Sequence, residues 1–83
     1  MPRLPEFLLS AVDQQIDSPE TPFVRAAYRR LLDHHPDIDS DEARRLIALC
    51  LADETEHMVA EDRPFDLARY ESLLDLLPHP PGR

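Results

Sequence analysis

The sequence predicts an all-α fold, a small four-helix bundle or array with a long central third helix. Three observations predict it. Apolar residues return at spacings of three and four in four separate segments, and no stretch shows the strict alternation of a half-buried strand. Prolines fall between those segments, at Pro19 and Pro22, Pro36, Pro64 and Pro78, whereas residues 39–62 contain neither Gly nor Pro. Within that uninterrupted stretch, Leu46-Ile47-Ala48-Leu49-Cys50-Leu51-Ala52 is apolar on every side. The run falls well short of the roughly 20 residues of a membrane span. A helix segment of this kind has to be covered from more than one direction, so the other helices are expected to pack around it.

The first helix is expected over residues 5–16. Pro5 suits a first turn, and Glu6 complements the positive end of the helix. Leu4, Leu8, Ala11 and Val12 share a face, with Phe7 at its edge and Leu9 and Ile16 off the stripe. The cover of this helix is the least determined by the rest, which makes it the expected partner-facing element. The second helix is expected over 19–34. Ser18-Pro19 and Thr21-Pro22 both read as an N-cap followed by a first-position proline, and the start near Ser18 is preferred. Val24, Ala27, Tyr28, Leu31 and Leu32 form its stripe, and Pro36 ends it. The third helix is expected over 40–61, with Asp39 as N-cap, Glu42 completing a capping-box variant, and Ile38 stapling onto Ala43. Ala43, Ile47, Cys50, Glu54 and Glu61 fall close to one line along it. The fourth helix is expected over 66–77, capped by Asp66, with Phe65 stapling onto Tyr70 and with Leu73, Leu74 and Leu77 on its stripe. Pro78 ends it, and residues 79–83 are expected to form a mobile tail. Residues 1–78 then make one domain. Its expected core is Leu8, Val12, Val24, Tyr28, Leu31, Leu46, Ile47, Cys50, Leu51, Met58, Tyr70, Leu73, Leu74 and Leu77.

Composition narrows the function. At 83 residues the chain suffices for one domain, and a monomer of this size hides little of its surface, which favours self-association. A single Cys excludes an internal disulfide, and the N-terminus lacks a signal-peptide pattern, so a cytoplasmic location is expected. The net charge is −8 and every basic residue is Arg. Such a surface repels phosphate backbones, so no nucleic-acid partner and no membrane partner is expected. The arginines read mostly as a salt-bridged face, for example Arg29 with Asp33 and Arg45 with Asp41.

In the second half, Asp41-Glu42-Ala43, Leu46-Ile47-Ala48, Glu54, Arg63-Pro64-Phe65-Asp66, Arg69-Tyr70 and Leu77-Pro78 resemble small, wholly helical bacterial proteins of unassigned function. The resemblance implies a helical array and carries no functional residue with it.

Few residues are placed for chemistry. Asp37-x-Asp39-x-Asp41 imitates the start of a calcium loop, but the sixth position is Glu42 where a glycine is needed, and the twelfth is Ala48 where a bidentate carboxylate is needed. A helix-turn-helix through residues 35–38 would begin its reading helix with Asp39-Ser40-Asp41-Glu42, acids where phosphate-contacting groups belong. The only glycine is Gly82, which excludes phosphate-cradling glycine loops. No Ser or Cys nucleophile stands at a legible spacing from any His, and Cys50 reads as a small core residue, so no enzyme and no cofactor are expected.

Glu54-x-x-His57 is the exception. The spacing puts carboxylate and imidazole on one helix face, as in helical di-metal carboxylate bundles, and Glu61 lies two turns further along. Across a two-fold dimer, Glu54, His57 and Glu61 could form a metal site. Otherwise a carboxylate in the middle of an apolar stripe requires a hydrogen-bonding partner, for which Arg25, Tyr28, Arg69 and Tyr70 are candidates. The expected function is accordingly a self-associating protein–protein interaction or adaptor module. It rests on Leu9, Ile16, Leu49, Val59 and Leu76, apolar positions that one thin bundle is not expected to cover. A metal-binding protein is the alternative. A weaker third possibility is capture of a basic partner by the acidic clusters at 37–42 and 53–56.

Overall fold

The computed structural model describes residues 4–81 and contains four helices, α1 (Glu6–Asp17), α2 (Pro22–His34), α3 (Ser40–Ala60) and α4 (Leu67–Asp75), with no strand among the described residues. The all-α prediction holds, and α3 is the longest element. Residues 1–3 of the expected domain and residues 82–83 of the expected tail lie outside the described residues.

α3 packs against α1, α2 and α4, and α2 likewise touches the other three, so the centre is the α2–α3 pair with α1 and α4 on its flanks. Leu46, Ile47, Ala48, Cys50 and Leu51 are buried and Leu49 is half-buried, as a run covered on all sides demands. The rest of the core is Leu8 and Val12 from α1, Val24, Ala27 and Leu31 from α2, Ala43 from α3, and Tyr70, Leu74 and Leu77. Three expected core residues are only half-buried. Tyr28 reaches the surface to pair its hydroxyl with Ser40 Oγ at 2.7 Å, and Met58 and Leu73 lie partly in solvent. Leu9, Ile16 and Leu49, expected to be left uncovered, pack against the core, whereas Val59 and Leu76 remain exposed. α1 is docked on both α2 and α3, with Phe7 left exposed on it.

α2 starts three residues later than expected. Ser18 closes α1 instead of opening α2, and Thr21 ties the start of α2 back to the same turn: Ser18 N–H and the Thr21 hydroxyl both donate to the Gln15 carbonyl, at 3.2 and 2.8 Å. Ser18 Oγ accepts from Glu20 N–H at 3.1 Å. The physical reason lies in Pro22. With Ser18 as N-cap, Pro22 would be the fourth helical residue, where an N–H has to donate to the N-cap carbonyl, whereas at the first position its missing N–H costs nothing. Thr21 is therefore the N-cap.

The Asp39 cap forms as expected, Oδ1 accepting from Glu42 N–H at 2.8 Å. The return arm of the capping box does not, because the Glu42 carboxylate is held by the Arg45 fork at 2.8 Å on each oxygen. Arg44, rather than Arg45, takes Asp41, and its fork also ties α3 to Asp13 of α1 at 2.6 and 2.8 Å. The expected Arg29–Asp33 pair is not among the ion pairs of the described residues.

α4 ends two residues early. The carbonyl of Leu74 has no α-helical donor because Pro78 lacks an N–H. Arg30 of α2 supplies one, Nη2 donating to Leu74 O at 2.9 Å and Nη1 to Leu77 O at 3.0 Å, a cation at the negative end of the helix. Pro80 and Pro81, expected in a mobile tail, are half-buried and line a cleft with Asp53, His57 and Leu76.

Candidate functional site: a buried carboxylate between α3 and α4

Glu54 is the one charged side chain in the core among the described residues, with 0 % of its surface exposed. Helical periodicity places it on the same line as Ile47 and Cys50, and what surrounds it comes from the α3–α4 link. α3 ends in a Schellman motif: Arg63 N–H donates to Met58 O at 3.1 Å and Asp62 N–H to Val59 O at 3.3 Å. Asp62 takes the left-handed position, with φ 51°, where glycine is the usual residue. This reversal turns Arg63 back over the helix it has just left.

Four hydrogen bonds reach the Glu54 carboxylate. Oε2 accepts from Arg63 Nη1 at 2.7 Å and from Asp66 N–H at 2.7 Å. Oε1 accepts from Arg69 Nη1 at 3.0 Å and from Arg63 Nη2 at 3.1 Å. The Asp66 contact has a further meaning. Asp66 caps α4 with its own side chain, Oδ1 accepting from Arg69 N–H at 3.0 Å, while its backbone N–H is satisfied by Glu54. The return arm of a capping box thus comes from another helix, and its negative charge stands at the positive end of α4.

The Arg63 hydrogen bonds, with those from Asp66 N–H and Arg69, outweigh desolvation and hold the Glu54 carboxyl at about 2, below its ordinary 4.5. An anion held this way has no proton to donate, and its acceptor sites are filled. Its function is mechanical: it ties the start of α4 to the middle of α3.

Of the expected Glu54 partners, Arg69 is one. Arg25 is not, and the two tyrosines bond elsewhere, Tyr28 to Ser40 and Tyr70 through its hydroxyl to Gln15 Oε1 at 2.7 Å. Arg63 is a partner that residue spacing does not suggest. The only sequence signal for it is Pro64 just beyond the helix, and the glycine that would advertise the chain reversal is replaced by Asp62.

Of the three residues of the expected metal site, Glu54 and Glu61 share Arg63 as a partner and His57 turns to Asp53. His57 Nδ1 lies 2.9 Å from the Asp53 carbonyl and 3.5 Å from Asp53 Oδ2, and Glu61 binds Arg63 Nε at 2.6 Å. Among the described residues, no group of three or more His, Cys, Asp or Glu is arranged to hold a metal ion. The acidic clusters expected to face a basic partner are largely engaged internally: Asp39 caps, Asp41 and Glu42 bind Arg44 and Arg45, and Asp53 binds Arg69 at 2.6 Å. Cys50 is buried, and that burial pushes its thiol up to about 12, so it stays protonated and unreactive.

No family model matches the chain, and no match is found among curated proteins or solved structures.

Proposed function

We propose that this chain is a small cytoplasmic protein–protein interaction or adaptor module that self-associates, rather than an enzyme. The observation that carries the reading is the exposure of four large apolar side chains, Phe7 at 71 %, Val59 at 71 %, Leu76 at 60 % and Leu67 at 56 %. Val59 and Leu67 stand on either side of the α3–α4 link, which the Glu54 tie makes rigid. Presenting apolar side chains on a firmly held corner reduces the ordering cost of association. The buried polar centre is saturated and offers no group for chemistry, which favours a contact function for the surface. No helix among the described residues is long and apolar enough to cross a membrane.

Sedimentation velocity over a range up to millimolar protein tests the reading. A sedimentation coefficient that rises with concentration, and falls back in V59S/L67S, is the expected result. A strict monomer throughout, with no partner retained on an immobilised column of the chain, would end it.

A further inference from the structure

Seven of the nine arginines lie within residues 4–81, and five of those are engaged. Arg30 caps α4, Arg44 holds Asp13 and Asp41, Arg45 holds Glu42, and Arg63 and Arg69 hold Glu54 and its neighbours. Arg25 and Arg29 are the two that make no hydrogen bond or ion pair among the described residues. They are four residues apart on α2, a spacing that places them about 5–6 Å apart at Cβ. Both line one cleft of about 360 Å³, whose other walls are Asp17, Ser18, Pro19, Pro22 and Ala26. Unpaired cations concentrated in one cleft of a chain carrying a net charge of −8 need a reason, since carboxylates to neutralise them are plentiful elsewhere.

We propose that this cleft binds a small hydroxylated phosphate monoester. The donor set favours phosphate. Two guanidinium groups a helical turn apart match the three terminal oxygens and the double charge of a phosphate monoester, where a carboxylate offers two oxygens and a single charge. Ser18 Oγ already accepts from Glu20 N–H, and its hydroxyl proton is available to a phosphate oxygen. Asp17 on the wall accepts from a hydroxyl of the ligand and disfavours a bare anion. Pro19, Pro22 and Ala26 provide apolar contact for a short carbon skeleton, and the volume suits the small end of ligand sites. A polyanion is excluded by the rest of the surface. Its further phosphates would meet the net negative charge of the chain, −8, whereas a single phosphate group sits within the reach of the arginine pair, given a screening length of about 8 Å.

Two-dimensional amide NMR of the full chain, titrated separately with glycerol 3-phosphate, inorganic phosphate, succinate and a short single-stranded oligonucleotide, tests the assignment. The expected result is saturable shifts confined to residues 17–29 with glycerol 3-phosphate, weaker binding of inorganic phosphate, and weaker still of succinate. R25Q and R29Q, both solvent-exposed and therefore neutral for folding, are each expected to weaken glycerol 3-phosphate by about tenfold or more, the effect of losing a charged hydrogen bond. D17N is expected to tighten inorganic phosphate and to narrow its gap to glycerol 3-phosphate. Succinate binding as tightly as the phosphate ester would overturn the choice of phosphate, and tighter oligonucleotide binding the choice of a small ligand. Linear, non-saturating shifts, or shifts unchanged in R25Q/R29Q, would overturn the site itself.

Discussion

Replacing Glu54 by alanine leaves two arginine forks and the Asp66 N–H facing a void where four hydrogen bonds converged. Removing one partner of a buried, hydrogen-bonded ion pair costs about 3–5 kcal/mol. Arg63 and Arg69 retain 25 % and 31 % of their side-chain surface, so both can turn toward water, which places E54A near about 3 kcal/mol, the lower end of that range. A domain of this length has a total stability of about 4–12 kcal/mol, so the loss is a large share of the whole. Urea unfolding followed by far-ultraviolet circular dichroism measures it. With a slope of about 1–1.5 kcal/mol per molar urea, the midpoint is expected to fall by about 2 M or more. Acid titration gives an independent check. The folded carboxyl ionises at about 2 and the unfolded one near the ordinary 4.5, so the unfolded chain binds the proton first. The Glu54 contribution is therefore complete above 4.5 and is lost as pH falls toward 2. E54Q, which keeps the shape without the charge, is expected to show a flatter stability profile across that window. A midpoint shift below about 0.5 M in E54A, with an unchanged acid limb in E54Q, would refute the role assigned to this carboxylate.

Three further outcomes follow from individual contacts. D62G removes a non-glycine residue from φ 51° and an acid from the negative end of α3, and is expected to stabilise by about 1 kcal/mol, raising Tm by about 4–8 °C in a thermal melt. R30M strips the cap from α4 and is expected to cost about 1–2 kcal/mol, with faster amide exchange at Leu77, whose N–H donates to Leu74 O at 3.1 Å. The Cys50 thiol is expected to resist an aromatic disulfide reagent in the native state and to react only at the rate at which the core opens; rapid stoichiometric labelling at neutral pH would contradict its burial.

Contacts that close within a few residues are legible in the order of residues. Asp39 and Asp66 read as caps because a cap needs only a side-chain acceptor two or three positions before a free N–H. Phe65 meets Tyr70 edge-on at 5.6 Å as the staple spacing requires, and the Leu46–Leu51 stretch is buried as its all-round apolarity requires. The start of α2 is harder to place, although the residue that decides it, Pro22, is in plain view. Two cap-plus-proline pairs compete, and only the fourth-position penalty on Pro22 separates them.

Four helices, their order, the Asp39 and Asp66 caps and the side each helix turns inward follow from spacings of two to four residues along one chain. The same spacings mark Glu54 as a carboxylate in need of a partner. Which partner it finds depends on how the helices come together. Arg63 reaches Glu54 only because Asp62 reverses the chain, Arg30 reaches the end of α4 across 44 and 47 residues, and Tyr70 reaches Gln15 across 55. These pairings arise where helix axes cross, and several arginines are chemically equivalent claimants for each carboxylate. Geometry chooses among them, and it leaves Arg25 and Arg29 over.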